Sequence, residues 1–463
     1  MKTGFKVISA VLVSILFSGC ASSPAPLAGA KPNIIYILAD DLGWSELGCY
    51  GNKFNETPNL DRLADQGMLF TNAYAAAPVC SPYRAALMSG QSPVRLGITD
   101  YLRPDSDKHL PEEMVTLAEM LKEAGYVTGM TGKWHLSGYD DEGVKSGPAE
   151  HGFDEVMISE KRGIGYGSYF HPYDRIDKSI EPVLSKDEYL TDRLNYEAVR
   201  FIERHSHEPF FLYKSHYSVH TRLKGKPQLA EYFADKPQAG KSRNNPHLAA
   251  MLKSIDDGVG MIVDKLEAEG IADNTLIIFT SDNGGELKVT TNAPLREGKS
   301  HLYEGGIREP MIACWPDIIK GGSFCNTPVS NYDFYPTFTA LAGAPEPGHP
   351  QDGTSLVPLL AGKDIEKRPL YWHYPMGKPH NLGGRSSGAV RYGDWKLIEL
   401  FDTGKAELYN LSHDIGEKVD LSEEFPYKVR QLHSMLKDWR KDAGAEIPEG
   451  QKTSTIPMAQ VED

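Results

Sequence analysis

His247 to Gly285 reads HLAAMLKSIDDGVGMIVDKLEAEGIADNTLIIFTSDNGG, and it holds the repeating unit of the fold. The first part has the apolar spacing of a long amphipathic helix, and Gly270 ends it. Thr275 to Thr280 is then a short, continuous apolar run, the pattern of a strand buried on both faces of a parallel sheet. Working outward, the same pieces recur. KPNIIYILADDLG (Lys31 to Gly43) carries the strand Ile34 to Leu38, bounded by Pro32 and two aspartates. TLAEMLKEAGYVTGMTGKWHL (Thr116 to Leu136) gives a helix with Leu117, Met120 and Leu121 in step, a stop at Gly125 and a strand. PFFLYKSHYSVH (Pro209 to His220) gives a further buried strand. Helices alternating with apolar strands predict an α/β fold with a large, mostly parallel sheet. Past Lys363 the texture changes to RPLYWHY, GAVRYGDWKLIEL and KAELYNL, then a helix near Tyr427 to Arg440. This predicts a catalytic domain over residues 32–363 and a smaller α+β subdomain over 364–463.

The 463 residues are 40% hydrophobic and 24% charged, the balance of a globular enzyme, and the net charge of −14 argues against a nucleic-acid binder. At the N-terminus Lys2 and Lys6 precede an apolar run, Val7 to Phe17, too short to span a bilayer as a mature helix. Cys20, directly after Ser18-Gly19, looks like the acylated cysteine of a bacterial lipobox. Residues 1–20 then form a lipoprotein-type signal peptide and 21–31 a tether. The expected location is periplasmic or on the cell surface as a lipoprotein of the outer membrane, or alternatively secreted. A membrane contact is expected only through this anchor.

In an open α/β sheet, ligands bind beyond the carboxyl ends of the strands. Four such ends carry polar groups: Asp40 and Asp41, Asp282 and Asn283, Lys133 and His135, and His220. Adjacent aspartates after a strand can be a turn or a helix cap. Their repetition as Asp282-Asn283 at a second strand end points to a metal site instead. Three aspartates and an asparagine are hard oxygen donors, suited to Ca²⁺ or Mg²⁺ before zinc. Asp256 and Asp257, within the long helix, read as a solvated or helix-packing pair and not as ligands. Cys80, in PVCSPYRAALMSG (Pro78 to Gly90), has three readings: half of a disulfide, a buried thiol or a reactive group. With Cys20 removed, Cys49, Cys80, Cys314 and Cys325 allow three pairings. Cys314 and Cys325 could bridge neighbouring segments, while Cys49 reads as a buried thiol.

CSPYR followed by AALMSG resembles the motif of the formylglycine-dependent (type I) sulfatases, a family built on the alkaline-phosphatase-like fold. The resemblance runs from about Pro32 to Leu421 through NIIYILADDLG, TPNLDRLADQGMLFTNAY, TGKWHL, HGFDE, TSDNGG, PLREGKSHLYEGGIREPMIACWP, DFYPTFTALAG, DGTSLVPLL and ELYNLSHDIGEKVDL. It implies that Cys80 is oxidised to Cα-formylglycine before folding, by a formylglycine-generating or anaerobic sulfatase-maturating enzyme that reads Pro82 and Arg84. It also implies one Ca²⁺ per chain, held by Asp40, Asp41, Asp282, Asn283 and an oxygen of modified Cys80. Arg84 and Lys133 would stabilise the formylglycine hydrate and His135 would be the base that releases sulfate. His220 and Lys299 would bind the sulfate, His220 also protonating the departing alcohol, with His216 structural. Tyr83, Met88-Ser89-Gly90 and Gln91 depart from the commoner family pattern without removing a residue the modification needs.

The expected substrate is a sulfated carbohydrate. HYPMGKPHNLGGRSSGAVR (His373 to Arg391) is a polar, Gly-rich loop that could meet sugar hydroxyls, with Lys378, His380 and Arg385 as candidate contacts; Arg103, Arg162 and Tyr101 are further ones. The alternatives are a broad arylsulfatase, a phosphomonoester or phosphonate hydrolase of the same fold, and a sulfated-glycan-binding lipoprotein should Cys80 stay unmodified. An oxygen-rich metal set and an intact Cys80 motif discriminate against the phosphatase. A complete catalytic set discriminates against the binding protein.

Overall fold

A computed structural model describes residues 27–140, 143–161, 168–174, 176–241, 243–378 and 380–454. The segment expected to be a signal peptide, most of the expected tether, Cys20 and Arg162 lie outside these residues. The strands in chain order are β1 (Asn33–Ala39), β2 (Met68–Tyr74), β3 (Val127–Gly132), β4 (Gly138–Asp140), β5 (Gly143–Ser146), β6 (Glu155–Ile158), β7 (Phe210–Ser215), β8 (Thr275–Ser281), β9 (Arg308–Cys314), β10 (Ser323–Cys325) and β11 (Val329–Ser330). Nine of them form one sheet in the order β10-β2-β9-β8-β1-β7-β3-β6, with β11 beside β2. Only β9 runs antiparallel to its neighbours β2 and β8. The four strands whose ends carry the polar groups, β8, β1, β7 and β3, are adjacent and parallel. Their registers end together, with Ala39 opposite Ser281, Leu38 opposite Ser215, and Gly132 opposite Ser215. Asp40, Asp282, Lys133 and His220 therefore emerge along one edge.

The apolar runs have no polar face because both faces of the sheet are covered. Ile34, Tyr36 and Leu38 pack with Leu87, Phe334 and Phe338 on one side. Ile35 and Ile37 pack on the other side with Leu194, Phe201, Leu252 and Ile255. Each such side chain contributes roughly 1.5–3 kcal/mol by leaving water. The helices before and around the central strands are α1 (Pro58–Gln66), α2 (Cys80–Ser89), α3 (Leu117–Glu123), α4 (Leu190–His205), α5 (Pro227–Ala234) and α6 (Pro246–Ala268). Asn245 caps α6 by accepting from the backbone N–H of His247 at 3.0 Å. Gly270, with φ +70°, closes the turn after it.

Asp256 and Asp257 divide the two roles expected of them. Asp257 is solvated and pairs with Lys253. Asp256 is fully buried and caps a different helix: its Oδ1 accepts from Asn59 N and Leu60 N, both at 2.9 Å, at the start of α1. Cys49, Cys80, Cys314 and Cys325 are all free thiols. Cys314 and Cys325 stand on β9 and β10 with β2 between them. Two strand spacings, about 9–10 Å, exceed the reach of a disulfide.

The second sheet is antiparallel, in the order β12 (Leu370–Tyr374), β13 (Ser387–Tyr392), β14 (Trp395–Leu400), β15 (Lys405–Asn410). Val390, Leu397 and Leu408 on one face receive Val429, Leu432 and Leu436 of the helix Pro426–Ala443. Trp372, Tyr374 and Ile398 on the other pack against Tyr74, Val79 and Ala86 of the large domain. Beneath this contact, Lys396 Nζ lies 2.7 Å from Glu304 Oε1 and 2.9 Å from Glu417 Oε1, all fully buried.

Candidate active site

Cys80 is the first residue of α2, preceded by an extended Val79, so the N–H end of the helix faces the carboxyl edge of the sheet. Only 2% of Cys80 is exposed, and burial pushes its thiol pKa up. A protonated, enclosed thiol is a poor nucleophile and a poor metal ligand. Arg84, one turn on, is fully buried. Its Nη2 meets Asp282 Oδ2 at 2.7 Å, while Nη1 donates to Lys133 O at 2.8 Å and to Ser215 Oγ. Lys133 Nζ lies 2.5 Å from Asp40 Oδ2, and Lys299 Nζ lies 2.7 Å from Asp41 Oδ2. Three carboxylates and three cations are thus interleaved beneath Cys80.

Two oxygens in this array have no hydrogen-bond partner among the described residues. Asn283 Nδ2 donates to Asp41 Oδ1 at 2.8 Å and Gly284 O at 3.0 Å, which fixes the amide and leaves Oδ1 open. Asp40 Oδ1 is likewise buried and unpartnered. Orphaned oxygens among carboxylates are what a hard cation satisfies, so the donor set fits Ca²⁺. Ligand atoms of Asp40, Asp41 and His220 also lie within 4.8 Å of one another, which adds His220 to the neighbourhood of the expected ligands. Burial, with Asp282 alongside, pushes Asp40 up to about 7 despite Lys133. Asp41 is buried too, yet Lys299 and His220 hold it well below the usual carboxylate range. Asp41 and His135 both have positive φ, +61° and +58°, so strained backbone aims them.

The two histidines differ. His135 Nε2 donates to Leu102 O at 2.8 Å, which leaves Nδ1 as an unprotonated acceptor with no partner among the described residues. Burial, then Lys133 and Arg84, hold His135 far below the usual imidazole range. His220 Nδ1 donates to Thr221 O at 2.6 Å, and its Nε2 stands 3.6 Å from Asp41 Oδ2. Burial and Lys299 lower His220 to about 4, against the pull of Asp41. His216 is fully buried against Lys214 and does not line the cleft above Cys80.

A cleft of about 410 Å³ opens above the array, with Cys80, His135, His220 and Lys299 at its base. Arg103 and His380 line it: the Arg103 guanidinium sits 4.2 Å over the Tyr101 ring, and His380 meets that ring edge-on at 5.7 Å. Arg385 does not line it, since Asp402 holds it through Nε and Nη2 at 2.8 and 2.7 Å. Lys378 is exposed and also stands outside the lining. Sequence reasoning missed Thr221, Glu286 and Lys288 on the cleft wall, although each follows a strand-end residue within a few positions. A larger cleft of about 640 Å³, between β10 and residues 363–368, contains none of the predicted site residues. Tyr83 hydrogen-bonds Tyr36 at 2.6 Å and Gln91 donates to Pro350 O, so both departures from the family pattern are absorbed into packing.

A mostly parallel sheet with an acidic, metal-fitting centre at its carboxyl edge, and a small antiparallel domain leaning on it, defines an alkaline-phosphatase-like hydrolase. Residues 32–344 match the Sulfatase family model, and residues 298–442 match the model of the N-sulphoglucosamine sulphohydrolase C-terminal region. The N-acetylgalactosamine-6-sulfatase of Canis lupus familiaris is 35% identical over 405 residues, covering 80% of this chain and 72% of that one. A protein named sulfatase from Formosa agariphila is 32% identical over 94% of this chain and 92% of its own. The crystal structure of Ps i-CgsB in complex with k-i-k-neocarrahexaose superposes with a TM-score of 0.80 at 34% identity, covering 90% of this chain and 94% of that chain. The chain belongs to the sulfatase family and is a sulfuric ester hydrolase.

Proposed function

We propose that the protein hydrolyses sulfate esters of carbohydrates through a Cα-formylglycine made from Cys80, with one Ca²⁺ held by Asp40, Asp41, Asp282, Asn283 and the modified residue. The observation that carries this reading is the enclosure of Cys80 beside two buried, unpartnered oxygens, Asp40 Oδ1 and Asn283 Oδ1. Bound Ca²⁺ would supply positive charge against the sulfate oxygens. The formylglycine hydrate would supply paired hydroxyls, which divide transfer of the sulfuryl group into two easier steps. Arg84 and Lys133 hold the polar surroundings of position 80 in place, and the burial of both keeps water from competing. Lys299 Nζ faces the incoming anion. His135 Nδ1, a neutral acceptor, takes the proton whose loss accompanies sulfate release. His220 Nε2 stands on the side of the departing alcohol and would protonate it from the imidazolium form. Burial and Lys299 disfavour that form before substrate arrives, and the negative charge of the bound sulfate ester would favour it. That proton matters for a sugar alkoxide because it leaves poorly.

The carbohydrate preference draws support from the names of the relatives and from a cleft that places Tyr101, Arg103 and His380 beyond the centre. The proposed ligands are all oxygen donors, with His220 beside them in the role of proton donor, and this weighs against a phosphatase with histidine-bound transition metals. Export, with Cys20 acylated or the chain secreted, rests on residues 1–20.

The test is mass spectrometry of the tryptic peptide Leu63 to Arg84 from protein made together with a formylglycine-generating enzyme, its aldehyde trapped by a hydroxylamine probe. Trapping at position 80, with sulfate released from sulfated sugars, is expected. An intact thiol in a preparation where a control sulfatase is converted would overturn the mechanism.

A further inference from the structure

Glu286 follows Asn283 by three residues, on the loop leaving β8, and is 7% exposed where it lines the cleft. It is the sole acidic side chain among the described residues that line this cleft. Its Oε2 accepts the Thr221 hydroxyl at 2.7 Å, and Thr221 directly follows His220. Its Oε1 accepts no hydrogen bond from the described residues. A carboxylate on the wall of a cleft that admits an anion repels that anion. Such a group is compatible with binding when the ligand brings hydroxyl donors to it, because hydrogen bonds to a charged acceptor are strong. Its link through Thr221 to His220 puts the carboxylate on the side of the departing alcohol.

We propose that Glu286 is a specificity-determining residue, whose Oε1 accepts a hydrogen bond from the free sugar hydroxyl nearest the scissile ester. The inference rests on the sugar-sulfatase reading of the Cys80 centre. It narrows the substrate class to esters whose nearest hydroxyl is unsubstituted. A second sulfate on that hydroxyl would set two anionic groups against each other and remove the donor.

The experiment compares matured wild-type protein with Glu286→Gln and Glu286→Ala. The substrates are the monosulfates of methyl galactoside, each beside its counterpart lacking the nearest hydroxyl and its counterpart sulfated there. All leave as alkyl alcohols, so a fault in proton delivery weighs on each alike. For wild type, kcat/KM is expected to fall about 10- to 100-fold when the hydroxyl is removed, and further when it is sulfated. In both variants the penalty for removing the hydroxyl should shrink to about threefold or less. Gln keeps an acceptor for Thr221, so this change of ratio is not expected from a loop that has merely shifted. Equal losses on the hydroxylated and deoxygenated substrates would overturn the inference and leave Glu286 acting only through Thr221. Release of sulfate from none of the sugars by matured wild-type protein would instead overturn the sugar-sulfatase reading.

Discussion

Asp41 combines a positive φ, a salt bridge to Lys299 and a place beside the open oxygen of Asn283. Asn tolerates that backbone conformation nearly as well as Asp, whereas Ala does not. Asp41→Asn should therefore keep the fold while Ca²⁺ affinity falls by about 100-fold or more. Asp41→Ala should lose the same affinity and a further ~1 kcal/mol of stability. Calcium titration followed by thermal shift separates the two effects, because a bound ion raises Tm by mass action. Cys80→Ala removes the proposed nucleophile from a tight but small site. Sulfate release should drop by about 10³-fold or more with Tm moving by only a few degrees, as activity assay beside calorimetry would record. At this scale the sequence was most legible where chemistry follows strand ends, as with Asp40, Lys133 and Asp282. It was least legible where a side chain's fate depends on a distant partner, as with Arg385 and Asp402.

The strands were legible because a sheet covered on both faces leaves an unmistakable apolar run, and β1 and β8 extend only one or two residues past the expected Ile34 to Leu38 and Thr275 to Thr280. What joins elements was not. Asp256 and Asp257 are indistinguishable in sequence, yet one caps α1 from nearly two hundred residues away. Asp256→Ala strands two backbone N–H groups, Leu60's buried and Asn59's half-buried, and should cost about 1–3 kcal/mol. Asp257→Ala, at a solvated pair, should stay within about 0.5 kcal/mol. Urea unfolding of both variants tests the contrast. In the second sheet, burial lowers His373 on β12 to about 4, while its Nε2 donates to Glu446 O. The unfolded chain takes up a proton below about 6.5 that the folded chain refuses until about 4. Stability should thus decline as pH falls through that window, and His373→Gln, which keeps a donor, should flatten the decline by about 3 kcal/mol at its lower end.

The two domains meet over buried charge, with Lys396 between Glu304 and Glu417. Burial pushes Glu417 up to about 7, Lys396 notwithstanding, whereas Lys396 and Arg308 outweigh burial at Glu304 and hold it at about 2. A raised carboxylate binds its proton in the folded state between about 4.5 and 7, so its contribution weakens as pH rises through that range. Lys396→Met leaves two buried carboxylates with less compensation and should cost about 3–5 kcal/mol near pH 8, less near pH 5. Calorimetric Tm at the two pH values checks the sign. The change of texture past Lys363 announced the second domain in the sequence, but nothing there revealed that a lysine of one sheet is clamped by one glutamate at the start of a short helix and another on a loop.

The enclosure of Cys80 also sets a clock. A side chain 2% exposed, at the start of a buried helix and under a cleft of about 410 Å³, offers no room for the active site of another protein. An enzyme that makes the proposed formylglycine would have to reach that residue while the chain is still open. Each molecule's competence would then be decided during synthesis or transit, and chains that fold first would form a stable, silent pool that later treatment cannot recruit. The specific activity of a preparation would count how many chains were caught in time.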